Sequence, residues 1–449
     1  MGLQFPAVAL AGIRFPFARK KITSVKILSL AFKTDHHVMK DNNTDWKDTG
    51  SLFPKPEWKY GQPSAPVSIT KAQRLIVEVT FEVNPADAEE TKADVTGKAA
   101  GSLGSLVFEG STQFKGGTMT LTAESVGRLP DMVTKLTGNI DWSVSTEKDG
   151  PFDAGHTFDH TIYVTIDMPI SAPGREAGIT QKRMEKAVEL VSATGKATGP
   201  WVGRPLEIVL ELMKKFPGYE LRTDPGLPEK IFHPKYFDKN GTAPEGGAWP
   251  MADFIEAATR TPKFNAGECQ AIVRFIRGVI KIVGCPGKAQ TVVVFSDPNV
   301  GNGNTVVEQD LEAPLGRPYG YGLIRAPEKL INGRWSAPGL ADTYPGDKPG
   351  TIFDQNRKGR APSIGVNNFE ACLKFTDNSV VKYLPGGVNY NPVVNGQTFT
   401  GYDTMDPVIF SFFALVFVSD VPPQQPGEKL VRVEQIVKRY RNAAGVAIP

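Results

Sequence analysis

Cys269 is the residue of this sequence whose type and setting best suit covalent chemistry. It follows Asn265-Ala-Gly-Glu and opens a run in which Cys269, Ile272, Val273, Ile276, Ile280 and Val283 recur at helical spacing, with Arg274, Arg277 and Lys281 on the opposite side. Asn265 can cap this helix, Gly284 and Pro286 stop it, and a β-branched run, Ala289 to Phe295, follows as a buried strand. In the first turn of such a helix, unpaired backbone N–H groups and the helix dipole favour a thiolate over a thiol. The same N–H groups could receive the oxyanion of an acyl intermediate, so one turn can supply nucleophile and electrophilic stabilisation together. The alternative is a small buried apolar residue, since free cysteine is among the most buried types. Glu268, if close, raises the thiol pKa, while its charge also stabilises the helix N-terminus.

Gly267-Glu-Cys269, the fifteen residues on to Gly284, then Cys285-Pro286-Gly-Lys288 and an apolar strand resemble the core motif of the transglutaminase-like (papain-like cysteine) superfamily. In that family a Gly-x-Cys opens a helix that ends in a Gly-Ile-Pro-x-Arg-like turn. The resemblance covers about thirty residues and implies acyl transfer or amide hydrolysis on a protein or peptide, through a thioester at Cys269, without a cofactor or metal. It also implies a His on a strand reading roughly His-x-Trp-x-Glu-Val after the cysteine helix. The counterpart here is Val366-Asn367-Asn368-Phe369-Glu370-Ala371-Cys372-Leu373, with Asn367 at the His position and on the same strand face as Phe369. Asn391 stands where an Asp-Pro would be expected.

Asparagine does not titrate near neutrality and cannot be a general base. All five histidines, His36, His37, His156, His160 and His233, precede Cys269. Three alternatives stay open: a degenerate, inactive member kept for binding; an upstream base, His233 of Ile231-Phe-His-Pro-Lys-Tyr236, folded into the cleft; or Cys269 acting with its helix N-terminus alone. A non-enzymatic binding or structural protein is the competing class, and a toxin or injected effector built on this core is a third.

The remaining clusters carry less. His156 and His160 with Asp153 and Asp159 have the spacing of a metal cluster, but on loop and strand the spacing says little about shared direction, and exposed turn residues are the expectation. Pro298-Asn-Val-Gly-Asn-Gly-Asn304 lacks the Lys-Ser/Thr of a phosphate cradle and reads as a loop. Lys438-Arg-Tyr-Arg441 reads as a solvated face.

The elements that must position Cys269 fall into two parts behind an N-terminal extension, residues 1–19. Residues 20–172 show period-two alternation, as in Leu75, Val77, Val79, Phe81 and Val83, and are expected to form an antiparallel β-sandwich of seven or eight strands in the immunoglobulin-like style. Within them, Lys40 to Ser68 is expected to be a long surface loop. Residues 173–449 are expected to be an α+β transglutaminase-like domain, with helices over Gln181–Ala193, Pro205–Phe216 and Met251–Ala258. Asp297 to Pro362 reads as binding loops, Phe369–Phe375 and Val408–Val418 as strands, and Leu430, Val431, Val433, Ile436 and Val437 as the apolar face of a closing helix that begins near Gly427.

The totals fit an ordered, multi-domain, β-rich protein: 449 residues with 45 Gly and 36 Pro. A net charge of +3 calls for no nucleic acid or anionic membrane partner, and the longest apolar run is far short of the ~20 residues that span a bilayer. Three cysteines are too few for a disulfide framework. The N-terminus makes a poor secretory signal, because no basic residue precedes its short apolar stretch and Pro6 interrupts it. The expectation is a cytoplasmic protein as synthesised, with export by a signal-independent route left open.

Overall fold

The computed structural model describes residues 20–34, 36, 38–41, 51–170, 179–199, 205–215, 269–297, 305–310, 323–325, 329–331, 334–336, 366–367, 369–385, 393–394, 397–398, 400–403, 413–418 and 429–432. It is mostly β-sheet with few helices.

Residues 24–165 supply β1 (Ser24–Phe32), β2 (Val38–Met39), β3 (Trp58–Lys59), β4 (Val67–Thr70), β5 (Arg74–Asn84), β6 (Thr91–Ala99), β7 (Val107–Phe114), β8 (Gly117–Arg128), β9 (Thr134–Thr146) and β10 (Pro151–Thr165). All but β2 join in one nine-stranded sheet in the order β3-β1-β5-β8-β7-β6-β9-β10-β4. Where two sheets in the immunoglobulin-like style were expected, one continuous sheet curls until β1 lies against β10. Strands β5 to β8 form a Greek key, because β8 returns beside β5. The curl follows from bulges at Ile27/Ser29 in β1, Arg74/Ile76 between β5 and β8, and Asp153/Gly155 and Thr157/His160 in β10, each of which bends its strand.

Alternation decides the inside of the curl. Leu75, Val77, Val79, Phe81 and Val83 point in while Arg74, Ile76, Glu78 and Glu82 are exposed. Trp142 anchors this core, edge-on to Phe81 at 6.4 Å and tilted against Phe108 at 5.9 Å. Gly97 makes room for it, since a Cβ there would sit 2.8 Å from the indole. Burying each such aromatic contributes about 1.5–3 kcal/mol.

Lys40–Ser68 departs from the surface loop expected of it. Trp58 and Glu57 are buried, and Val67–Thr70 pairs in parallel with Ile162–Thr165. A stretch rich in Pro, Asn and Asp reads as loop in sequence, and its few apolar residues give no warning that they close the sheet.

Past this sheet, β11 (Ile179–Thr180) pairs with β2 and leads into α1 (Gln181–Ser192), followed by α2 (Pro205–Lys215) and α3 (Cys269–Ile282). Helices α1 and α2 match the expected spans to one residue, and α3 ends where expected while its expected start near Asn265, like the helix expected at Met251–Ala258, lies outside the described residues. A four-stranded antiparallel sheet follows, in the order β13 (Thr305–Asp310), β12 (Lys288–Asp297), β18 (Phe369–Asp377), β19 (Val380–Pro385). The pairs β15 (Lys329–Ile331) with β16 (Arg334–Ser336) and β20 (Val393–Val394) with β21 (Gln397–Thr398) stand apart from it. Another sheet orders β17 (Val366–Asn367), β14 (Leu323–Arg325), β22 (Phe413–Val418) and β23 (Lys429–Arg432). Lys429–Arg432 is therefore strand, where the first turn of a closing helix was expected; Leu430 and Val431 are β-tolerant and pair with Phe417 and Val416.

The two parts of the chain are joined. Helix α1 packs on β9 and β10 with one side and on α3 with another. Beyond β10, Ile166 N and Asp167 N donate to Val283 O at 2.8 and 3.4 Å, and Ile170 N donates to Lys281 O at 3.0 Å, which ties the sheet to the C-terminal end of α3.

Candidate functional site

Helix α3 is described from Cys269 onward, and Asn265, the expected cap, lies outside the described residues; the helix is amphipathic around buried Ile272, Val273, Ile276, Val279 and Ile280. One side packs on β12 and β18, and the other on α1 and α2. Arg277, expected on an exposed polar face, is buried instead; its Nη1 donates to Thr291 Oγ1 on β12 at 3.4 Å. Periodicity alone does not show that a helix is covered on two sides, and a long Arg stem can be buried with its head bonded.

The helix ends in a Schellman turn: Cys285 N donates to Ile280 O at 2.9 Å and Gly284 N to Lys281 O at 3.0 Å, with Gly284 at φ +63°. The chain then reverses into β12, which pairs antiparallel with β18 from Lys288↔Thr376 to Phe295↔Phe369. Fourteen helical residues span about 21 Å, and the strand from Lys288 to Phe295 about 23 Å. The backbone therefore sets Cys269 and Phe369 toward the same end of the helix-on-sheet layer.

Asn367 is not in that sheet. It lies on β17, opposite Leu323 of β14, so the strand expected to run unbroken through Asn367 and Phe369 is shared between two sheets. Spacing from the aromatic does not reveal such a change of partner. The side chains of Cys269 and Asn367, and all of His233, lie outside the described residues, as does Asn391.

The other two cysteines are buried, and neither is in a disulfide. Burial, with the charge of Asp377 adding to it, pushes the Cys285 thiol up to about 12, so it stays protonated and unreactive at neutral pH. Cys372 lies opposite Val292 on β18, fully enclosed.

His156 and His160 were expected as exposed turn residues; both lie in β10, and His160 is buried. Bulges in β10 turn His160 into the core while His156 stays exposed against Phe158, ring centroids 4.2 Å apart, and Asp153 Oδ1 accepts from Gly155 N. Among the described residues no three His, Cys, Asp or Glu side chains are grouped to hold a metal ion. No described helix is long and apolar enough to cross a membrane.

A structural contact that sequence reasoning missed is the set of carbonyls at the end of α3 that receive the β10 extension. Gly284 was legible as a helix stop, but its second role was not: a Cβ there would meet the Asp167 backbone at 2.4 Å.

No family model matches the chain. No curated protein matches it either. Among solved structures, a family 123 glycoside hydrolase from Clostridium perfringens, described for the details of glycolipid glycan hydrolysis, is similar over 33% of this chain and 28% of its own, at 9% identity and a TM-score of 0.17. The chain thus spans less than a third of that enzyme, and likeness of that degree carries neither a fold nor an activity across.

Proposed function

We propose that residues 173–449 build an α+β domain with a transglutaminase-like core, and that Cys269 performs acyl transfer or hydrolysis on an amide of a protein or peptide. The observation that supports this reading is the arrangement around α3: Cys269 lies at the N-terminal end of the described helix, Gly284 reverses the chain, and the helix lies on the two paired strands that follow, with Phe369 toward the cysteine end. In the reaction, the Cys269 thiolate attacks the amide carbonyl carbon and the C–N bond breaks. The amine departs with a proton, and water or a second amine then releases the thioester. His233 is the proposed base, and Asn367 stands at the position where the family carries its histidine. The curled sheet precedes this core in the chain and packs on it through α1.

The second reading is an inactive core that serves as a binding or structural module, and the observation in its favour is Asn367 where the family carries its histidine.

Iodoacetamide labelling against pH separates the two. With Cys285 and Cys372 buried, labelling of the folded chain reports Cys269, and Cys269→Ala removes it. An active site gives fast labelling with an apparent pKa well below the ~8.5 of a free thiol, returning toward that value in His233→Ala. Slow labelling that follows an ordinary or raised thiol pKa ends the enzyme reading and leaves the binding module.

A further inference from the structure

The curled sheet closes along a seam where β1 and its edge strand β3 come against β10, beside the other edge strand β4, and residues 60–66 connect the two edge strands directly. What holds this connection is polar and largely buried. Ser64 Oγ is 3.2 Å from His160 Nδ1, and His160 Nε2 is 2.6 Å from Thr157 Oγ1, which also accepts from Trp142 Nε1 at 3.4 Å. The imidazole has no exposed surface, and Phe32 of β1 meets it edge-on at 5.6 Å. Beside it, Glu57 Oε2 accepts from Phe32 N at 2.9 Å, Ala65 N donates to Glu57 O at 2.7 Å, and Thr34 Oγ1 donates to Ser68 O on β4 at 2.9 Å.

We propose that His160 is an acid-released latch: neutral, it pins residues 60–66 across the seam and keeps the sheet shut; protonated, it lets them go. Both partners of the ring are neutral hydroxyls, so a second proton on His160 would be a buried cation without a bonded anion, which a closed seam cannot hold cheaply. The charged groups on the surrounding elements do not offset it. On β1, Lys26 lies over the Tyr60 ring, and Lys33, just past the strand, reaches Thr122. On β3, Lys59 is exposed; on β9, Lys135 pairs with Glu185 and Asp141 is exposed; on β10, Asp153, His156 and Asp159 are exposed. Strand β4 carries no charge, and Glu57, the buried carboxylate of the group, is bonded to Phe32 N.

Burial lowers the His160 pKa from 6.5 to about 4 while the seam is closed. An open seam returns the ring to water and to 6.5, so opening takes up a proton between those values and grows easier as pH falls from 6.5 toward 4. From pH 7.5 to pH 5 the open fraction rises by about 30-fold.

Amide hydrogen exchange on the full chain, corrected for the intrinsic pH dependence of exchange, tests this. Protection over residues 57–66 should fall by about 30-fold between pH 7.5 and pH 5, while β5 and β8 hold theirs. His160→Gln should abolish the acid response and Glu57→Gln should keep it. Ser64→Ala, which leaves the imidazole in place, should raise exchange of 57–66 already at pH 7.5. The proposal is overturned if wild-type protection of 57–66 is unchanged by acid, if the response survives His160→Gln or vanishes only with Glu57→Gln, or, where His160→Gln does not fold, if Ser64→Ala leaves the segment as protected as before.

Discussion

Gly284 shows how much a single position can carry. Its φ of +63° is one that side chains other than glycine seldom adopt, and its bare Cα lets the backbone at Asp167 approach to where a Cβ would lie 2.4 Å away. Gly284→Ala is therefore expected to destabilise the protein by about 2–4 kcal/mol, from backbone strain and from parting the β10 extension from α3. Urea denaturation measures this, and a loss under ~1 kcal/mol would show that Asp167 yields without cost. The glycine was visible in the sequence as a helix stop because that role depends only on its neighbours in the chain. The close approach was invisible, because it depends on a segment from the other half of the chain. The same limit hid the role of His160: spacing placed it four residues from His156, and only the bulges of β10 put the two on opposite faces.

At the scale of elements, strand β5 and helices α1 and α2 were legible because alternation and helical periodicity are local signals, whereas the first half of β10, broken by bulges, read as loop around His156 and His160. Strand partners were not legible, since pairing is long-range: β17 and β18 read as one strand and divide between two sheets. Element ends also draw on distant residues. Thr180 precedes α1 without a capping side-chain bond, and the N–H of Lys182 is satisfied instead by Asp41 Oδ1 at 2.9 Å. Asp41→Ala is expected to lower stability by about 1 kcal/mol, and Asp41→Asn by less, since the amide oxygen can still accept. If both variants unfold at the wild-type urea midpoint, water serves that N–H equally well.

For the whole molecule, the candidate site rests on a scaffold that spans both halves of the chain, with α1 held between the curled sheet and α3. Lys135 of β9 reaches Glu185 of α1 at 2.6 Å on its solvent side. Global stability carries the titration of His160 as well. Its pKa is lowered in the fold, so the unfolded chain takes the proton first; stability is full above pH 6.5 and is lost as pH falls toward 4. The loss approaches about 3 kcal/mol. Urea midpoints of wild type and His160→Gln at pH 7 and pH 4 measure it by difference, and equal acid losses in the two would assign the effect to carboxylates. The join between Val283 and the end of β10 has one more consequence, for synthesis. Ile166 and Asp167 leave the ribosome more than a hundred residues ahead of the carbonyl that receives them. At ~5–20 residues per second the large sheet waits roughly ten seconds with its last donors unmet, and a message truncated before Val283 leaves them unmet for good.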